Sequence, residues 1–90
     1  MMFEYNDEKS ASNLQKHAID FINAQALWDD DYRVEVLAKV VGTEQRKVVI
    51  GQIKGKCYTA VIHYRHGNIR IISVRRARSK EREIYGSARI

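Results

Sequence analysis

Arginine is the residue type in this chain whose placement points to chemistry. Arg75-Arg76-Ala77-Arg78-Ser79-Lys80-Glu81-Arg82 puts five cations into eight residues. Upstream, Arg65 and Arg70 flank Gly67-Asn68, and Lys54 and Lys56 bracket Gly55. Guanidinium forks match phosphate oxygens bidentately, and a strand end that runs into a helix start adds backbone N–H groups suited to the same anion. A run of this kind is a solvated face more often than a catalytic centre. Its neighbours in the fold therefore decide how it is read.

Proton transfer needs other residue types. His17 follows Lys16 at the expected end of a helix, where a cation also interacts well with free carbonyls, so a structural and a catalytic role both stand. His63 falls on a strand close to Arg65 and Arg70, a setting suited to proton transfer beside a phosphate. His66 is a turn residue. Cys57 has no evident base partner and reads as a small core residue. As the only cysteine it has no internal disulfide partner, which fits a reducing cytoplasm. No group of His, Cys and carboxylates has metal-ligand spacing, so neither a metal nor another cofactor is expected.

The charge is unevenly spread. The net value of +5 combines nine acids and four bases in residues 1–44 with two acids and twelve bases in residues 45–90. A half-chain so basic attracts a polyanion, with nucleic acid or an acidic protein as the natural partner. Ninety residues support one core, so residues 1–90 form a single domain. The apolar content of 44% against 30% charged is a folded protein's balance. Apolar runs such as Val48-Val49-Ile50 are too short to span a bilayer, and the N-terminus lacks a signal-peptide layout.

These side chains need elements to position them. Phe3-Glu4-Tyr5 alternates as a short strand, and Asn6 is the expected N-cap of a helix carrying Ala11 and Leu14 and ending near His17. Asp20 caps a second helix with Phe21, Ala24, Leu27 and Trp28 on its buried side, ended by Asp29-Asp30-Asp31. From Arg33 the period becomes two, with Val34, Val36, Ala38 and Val40 on one face. Further strands are expected over Arg46–Ile53, Cys57–His66 and Ile69–Arg76, and a last helix begins at Ser79. The order β-α-α-β-β-β-β-α predicts an α+β domain. Its antiparallel sheet of four to five strands has two N-terminal helices packed on one face and a short C-terminal helix.

A two-residue turn at Gly67-Asn68 would set the register. It predicts Arg65 opposite Arg70, His63 opposite Ile72 and Thr59 opposite Arg76 on an open face. Tyr64, Ile62 and Ala60 then face Ile71, Ser73 and Arg75 beneath the helices. Two opposed arginines repel unless an anion lies between them or both splay into solvent. On this register Arg75 takes a fixed role under the helices and Arg76 is free for a nucleic acid.

The sequence also resembles a family. Phe3-Glu4-Tyr5-Asn6-Asp7-Glu8-Lys9, Asn13-Leu14-Gln15-Lys16-His17, Ile19-Asp20-Phe21 and Leu27-Trp28-Asp29-Asp30 resemble the opening of BrnT-type toxins. Val49-Ile50-Gly51, Arg70-Ile71-Ile72-Ser73-Val74-Arg75-Arg76-Ala77, Glu81-Arg82 and Tyr85 are similar to that family's second half. Ala18 departs from the glycine common after the Lys-His pair, so the first helix is expected to stop without a left-handed glycine cap. His63 and His66 match no family position.

The resemblance implies a RelE-like fold and a ribonuclease toxin that acts without metal. It also implies neutralisation by a BrnA-type antitoxin, as a 2:2 hetero-oligomer, with operator DNA bound only through the antitoxin. Such cleavage uses the ribose 2′-OH as nucleophile on the adjacent phosphate. Arg65, Arg70, Arg76 and Arg82 are then expected to supply the field for the crowded phosphate, with His17 or Lys16 as the acid or base. Arg75, Arg78, Lys80, Lys54 and Lys56 are expected to bind the strand, and Tyr85 to stack on a base or orient a phosphate. A non-catalytic nucleic-acid-binding module with the same arginines is the competing reading.

Overall fold

Asn6 starts the first helix as its sequence position predicts: its side chain accepts from the Lys9 N–H at 3.0 Å, with Asp7 and Glu8 in the first turn. A computed structural model describes residues 2–87 of the chain. It runs from strand β1 (Phe3–Glu4) through helix α1 (Asp7–His17) and a 3-10 helix (Asn23–Asp29) to four strands. These are β2 (Val34–Val41), β3 (Glu44–Ile53), β4 (Lys56–Arg65) and β5 (Asn68–Arg76), followed by helix α2 (Ser79–Ser87).

The strand order is β1-β5-β4-β3-β2. The long strands are antiparallel neighbours, but β1 pairs with β5 in parallel, Phe3 against Ile69 and Glu4 against Arg70. The sheet is therefore mixed, not antiparallel throughout. The Ile69 N–H donates to the Met2 carbonyl at 2.8 Å, so the short N-terminal strand satisfies the edge of β5 that β4 leaves free.

The helices also divide between faces. Phe21, Ala24 and Leu27 pack with Val49, Ala60, Ile62, Ile69, Ile71 and Val74 in the main core. Each of the larger of these, the Phe, Leu, Ile and Val side chains, contributes about 1.5–3 kcal/mol on full burial. Helix α2 lies on the opposite face, where Ala77 and Tyr85 close over Ile50 and Cys57. Burial raises the Cys57 thiol above its ordinary value, in keeping with a core role.

The buried side of α1 is polar. Ser10 and Asn13 are inside, whereas Ala11 is exposed and Leu14 is 47% exposed. The Asn13 amide donates to the carbonyls of Ile19 and Val74, each at 2.8 Å, and accepts from the Val74 N–H at 3.2 Å. The Ser10 hydroxyl accepts from the Phe21 N–H at 2.9 Å. Apolar spacing located this helix correctly but chose its wrong side, because hydrogen bonds rather than apolar contacts attach it. Ala18 ends the helix in the left-handed conformation at φ 61°, its N–H on the Leu14 carbonyl, so the left-handed cap forms without glycine.

Asp30 is a junction rather than one of three mutually repelling acids. Its carboxylate accepts from the Tyr32 and Gln52 N–H groups at 2.9 and 2.8 Å, and from the Tyr85 hydroxyl at 2.6 Å. One side chain thus joins the end of the 3-10 helix, β3 and α2. Gly51 allows this approach, since a Cβ there would meet Leu27 at 3.2 Å and Asp30 at 3.3 Å.

Candidate nucleic-acid surface

The β4–β5 turn is centred on His66-Gly67, at φ 52° and 79°, one residue earlier than the Gly67-Asn68 reading. Both residues at positive φ match the twist of a tight hairpin, and His66 tolerates that conformation better than most side chains. Arg65 consequently pairs with Asn68, and Arg70 with His63. A bulge follows: Ile62 pairs with Ile71 but Val61 pairs with Ser73, leaving Ile72 without a partner. An extra residue reverses the facing of everything beyond it. Val74 therefore enters the α1 core, opposite Ala60, and Arg75 pairs with Thr59 on the α2 face. Arg76 emerges on the α1 side opposite Tyr58, its guanidinium 5.6 Å from that ring's centroid. The faces expected for Arg75 and Arg76 are interchanged, although Arg75 is still the anchored side chain and Arg76 the exposed one.

Arg75 is fixed. Its guanidinium forks onto Glu81 with donor–acceptor distances of 2.7 and 2.8 Å, and the same carboxylate accepts from the Thr59 hydroxyl at 3.0 Å and the Arg78 N–H at 2.7 Å. Hydrogen bonding from Arg75 above all, then from Arg78 and Thr59, holds the Glu81 carboxyl down to about 2, and the pairing raises Arg75 in turn. This cluster ties the first turn of α2 to β4 and β5. Glu81 lies three residues beyond Arg78, the spacing of a helix-start carboxylate, which was the signal for its anchoring role.

The β5–α2 junction gathers exposed cations. Arg76, Arg78, Lys80 and Arg82 are all exposed, with Arg82 also donating to the Ala77 carbonyl at 2.7 Å. Because Tyr58 pairs with Arg76 and Ile53 with Lys56, the β3–β4 turn carrying Lys54 and Lys56 lies at this same end of the sheet. Helix α1 advances along β5 from the Phe3–Ile69 pair to the Asn13–Val74 contact. Its exposed last turn, with Lys16 and His17, therefore comes toward this end as well.

The remaining candidates lie elsewhere. The His63–Arg70 pair is at the hairpin end, about 17 Å from the Tyr58–Arg76 pair at strand rise, and Arg65 is about 23 Å from it. There Arg70 approaches Glu4 at 3.7 Å, while His63 has the Gln45 carbonyl at 3.2 Å and Glu44 at 3.7 Å. Glu44 is held below its ordinary value chiefly by its hydrogen bond from Arg46. His63 thus faces acceptors rather than an arginine-lined phosphate site. Tyr85 is only 5% exposed, with its hydroxyl on Asp30, and offers no open ring face to a base. No helix among the described residues is long and apolar enough to cross a membrane.

A family model described as the ribonuclease toxin BrnT of type II toxin–antitoxin systems matches residues 5–81. The match takes in α1, the whole β2–β5 sheet and the Arg75–Glu81 anchor. No curated protein matches the sequence.

Proposed function

The chain belongs to the BrnT family of ribonuclease toxins from type II toxin–antitoxin systems, and on that premise we propose that it cleaves RNA without a metal, at the β5–α2 end of its sheet. Membership brings an RNA substrate and a protein antitoxin with it. The observation that carries the placement is the convergence there of Arg76, Arg78, Lys80 and Arg82 with Lys54 and Lys56, at the end toward which α1 runs from its Asn13–Val74 contact.

In the proposed reaction the 2′-oxygen attacks the adjacent phosphorus as its proton passes to a base. The P–O5′ bond breaks, leaving a 2′,3′-cyclic phosphate and a 5′-hydroxyl that has received a proton. His17 is the proton-transfer group, with Lys16 as the alternative acid. Arg76 and Arg82 stabilise the negative charge that builds on the phosphoryl oxygens, where fixed cations contribute most. Arg78, Lys80, Lys54 and Lys56 hold the flanking phosphates. Arg65 and Arg70 are too far along the sheet to share that charge and serve a more distant part of the strand. Arg75 acts through Glu81 by holding α2 in place.

A BrnA-type antitoxin in a 2:2 complex neutralises the toxin by covering this end, in the cytoplasm, and contacts operator DNA itself. Incubation of the purified protein with RNA in EDTA tests the reading. Cleavage to cyclic phosphate ends is expected, with losses of at least 100-fold for Arg76→Ala and His17→Gln. Intact RNA, bound in a salt-dependent way, would instead establish a non-catalytic binding module. Full rates in both variants would remove these residues from the mechanism.

A further inference from the structure

The 3-10 helix covers only part of its face of the sheet. Beyond it lies a cleft of about 330 Å³ lined by Trp28, Asp31, Arg33, Glu35, Val49 and Tyr64, at the lower end of the size range of small-ligand sites. The walls are held in place. Trp28 meets Phe3 edge-on with ring centroids 4.9 Å apart. The Tyr64 hydroxyl donates to Glu35, and the Lys47 ammonium lies 5.0 Å from the Tyr64 ring centroid. Burial first, and then the bond to Glu35, push the Tyr64 phenol up to about 12, so it remains a donor that orients the carboxylate. Arg33 uses Nη1 on the carbonyls of Trp28 and Asp30, at 3.4 and 3.2 Å, which leaves its other N–H groups for a ligand.

The character of the lining selects the ligand. Two carboxylates, Asp31 and Glu35, are balanced by Arg33 and by Lys47 beside the mouth, so neither a cation nor an anion is favoured by net charge. Aromatic walls with a carboxylate and a guanidinium suit a flat, neutral ring that carries donors and acceptors on its edge. Among the RNA bases, guanine alone presents two adjacent N–H donors, N1–H and N2–H, to a carboxylate. It also carries acceptors at O6 and N7 that arginine recognises.

We propose that this cleft is a guanine-binding subsite, with Glu35 accepting from N1–H and N2–H, Arg33 donating to O6, and the Trp28 and Tyr64 rings flanking the base. The inference rests on the RNA-cleaving reading for its choice of ligand. Tyr64 lies six residues along β4 from Tyr58, about 20 Å. The guanine is therefore read several nucleotides from the bond cut at the β5–α2 end, and gives the toxin a sequence preference.

Trp28 is the sole tryptophan, so its fluorescence reports occupation of the cleft directly. The intact protein is titrated with GMP, AMP, CMP, UMP and inosine monophosphate, which share the phosphate and differ in the base. Saturable quenching by GMP is expected, weaker by about tenfold for inosine monophosphate, which lacks the exocyclic amine. Glu35→Gln should lose the GMP preference by at least that factor. Tyr64→Phe, which keeps the ring, should lose less, and thermal unfolding of both variants checks the fold.

Equal responses to all nucleotides, or an unchanged Glu35→Gln variant, would overturn the proposal. So would a saturable response to N-acetylargininamide alone, which would assign the cleft to a cationic side chain of a protein partner. Mapping of RNA cuts separates this idea from the broader one. Cleavage by the wild type with no guanine at a fixed distance sinks the subsite alone. Selective GMP binding with uncut RNA sinks the nuclease reading and leaves the subsite standing.

Discussion

Glu81 concentrates more of this protein's polar energetics than any of the arginines around it. Its carboxylate gathers a bidentate guanidinium, a hydroxyl and a backbone N–H, with only 19% of the side chain exposed. The folded-state value of about 2 lies below the ordinary 4.5, so it is the ionised form that stabilises the fold. That contribution is complete above about pH 4.5 and is lost as the pH falls toward 2. Glu81→Gln should lower stability at pH 7 by about 2 kcal/mol, as expected for charged, partly buried hydrogen bonds. The gap from wild type should narrow in urea unfolding curves taken from pH 5 down to pH 2. A gap that stays constant with pH would show that Glu81 acts through shape rather than charge.

At the scale of elements, two local backbone features matter most. The first is the left-handed cap at Ala18, φ 61°, where the Cβ is unfavourable. Ala18→Gly relieves that contact but adds freedom to the unfolded chain. The net expectation is a gain of about 0.5–1 kcal/mol, read as a higher melting temperature with unchanged helix content by circular dichroism. The second is the unpaired Ile72. Strict alternation from the turn places Arg75 on the α1 face and Arg76 on the other, and one extra residue exchanges the two faces. Up to Ile71 the apolar pattern of β5 was legible. Beyond it the run Ile71-Ile72-Ser73-Val74 has no alternation to read, because Ile71 and Val74 both enter the core while Ile72 sits at the bulge.

Across the whole molecule, the excess of positive charge in residues 45–90 becomes a spatial feature because turns and strand ends return to one end of the sheet. If the cations there neutralise four phosphates of a single strand, the logarithm of RNA affinity should fall against the logarithm of salt concentration with a slope of about −3. The His17→Gln variant, expected to be at least 100-fold slower on the proposed mechanism, allows the measurement on uncut RNA. Lys54→Ala with Lys56→Ala should reduce the slope by about one, or by more if both engage phosphates. Arg65→Ala should do so only for RNA long enough to reach the hairpin end. A slope near zero would remove the basic end from RNA binding.

The sequence by itself determined the α+β class, the order of the elements, the Asn6 cap, the basic second half and the family. Each of these is carried by composition, local propensity or residues close together in the chain. The tertiary structure alone decided the parallel pairing of β1, the opposite face for α2, the polar attachment of α1 and the junction at Asp30. It also decided which arginines stand together. These depend on hydrogen bonds between residues far apart in the chain, such as Asn13 with Val74 and Asp30 with Tyr85, and on a bulge that alternation does not announce. A single inserted residue changes the facing of Arg75 and Arg76 without changing the composition that first drew attention to them.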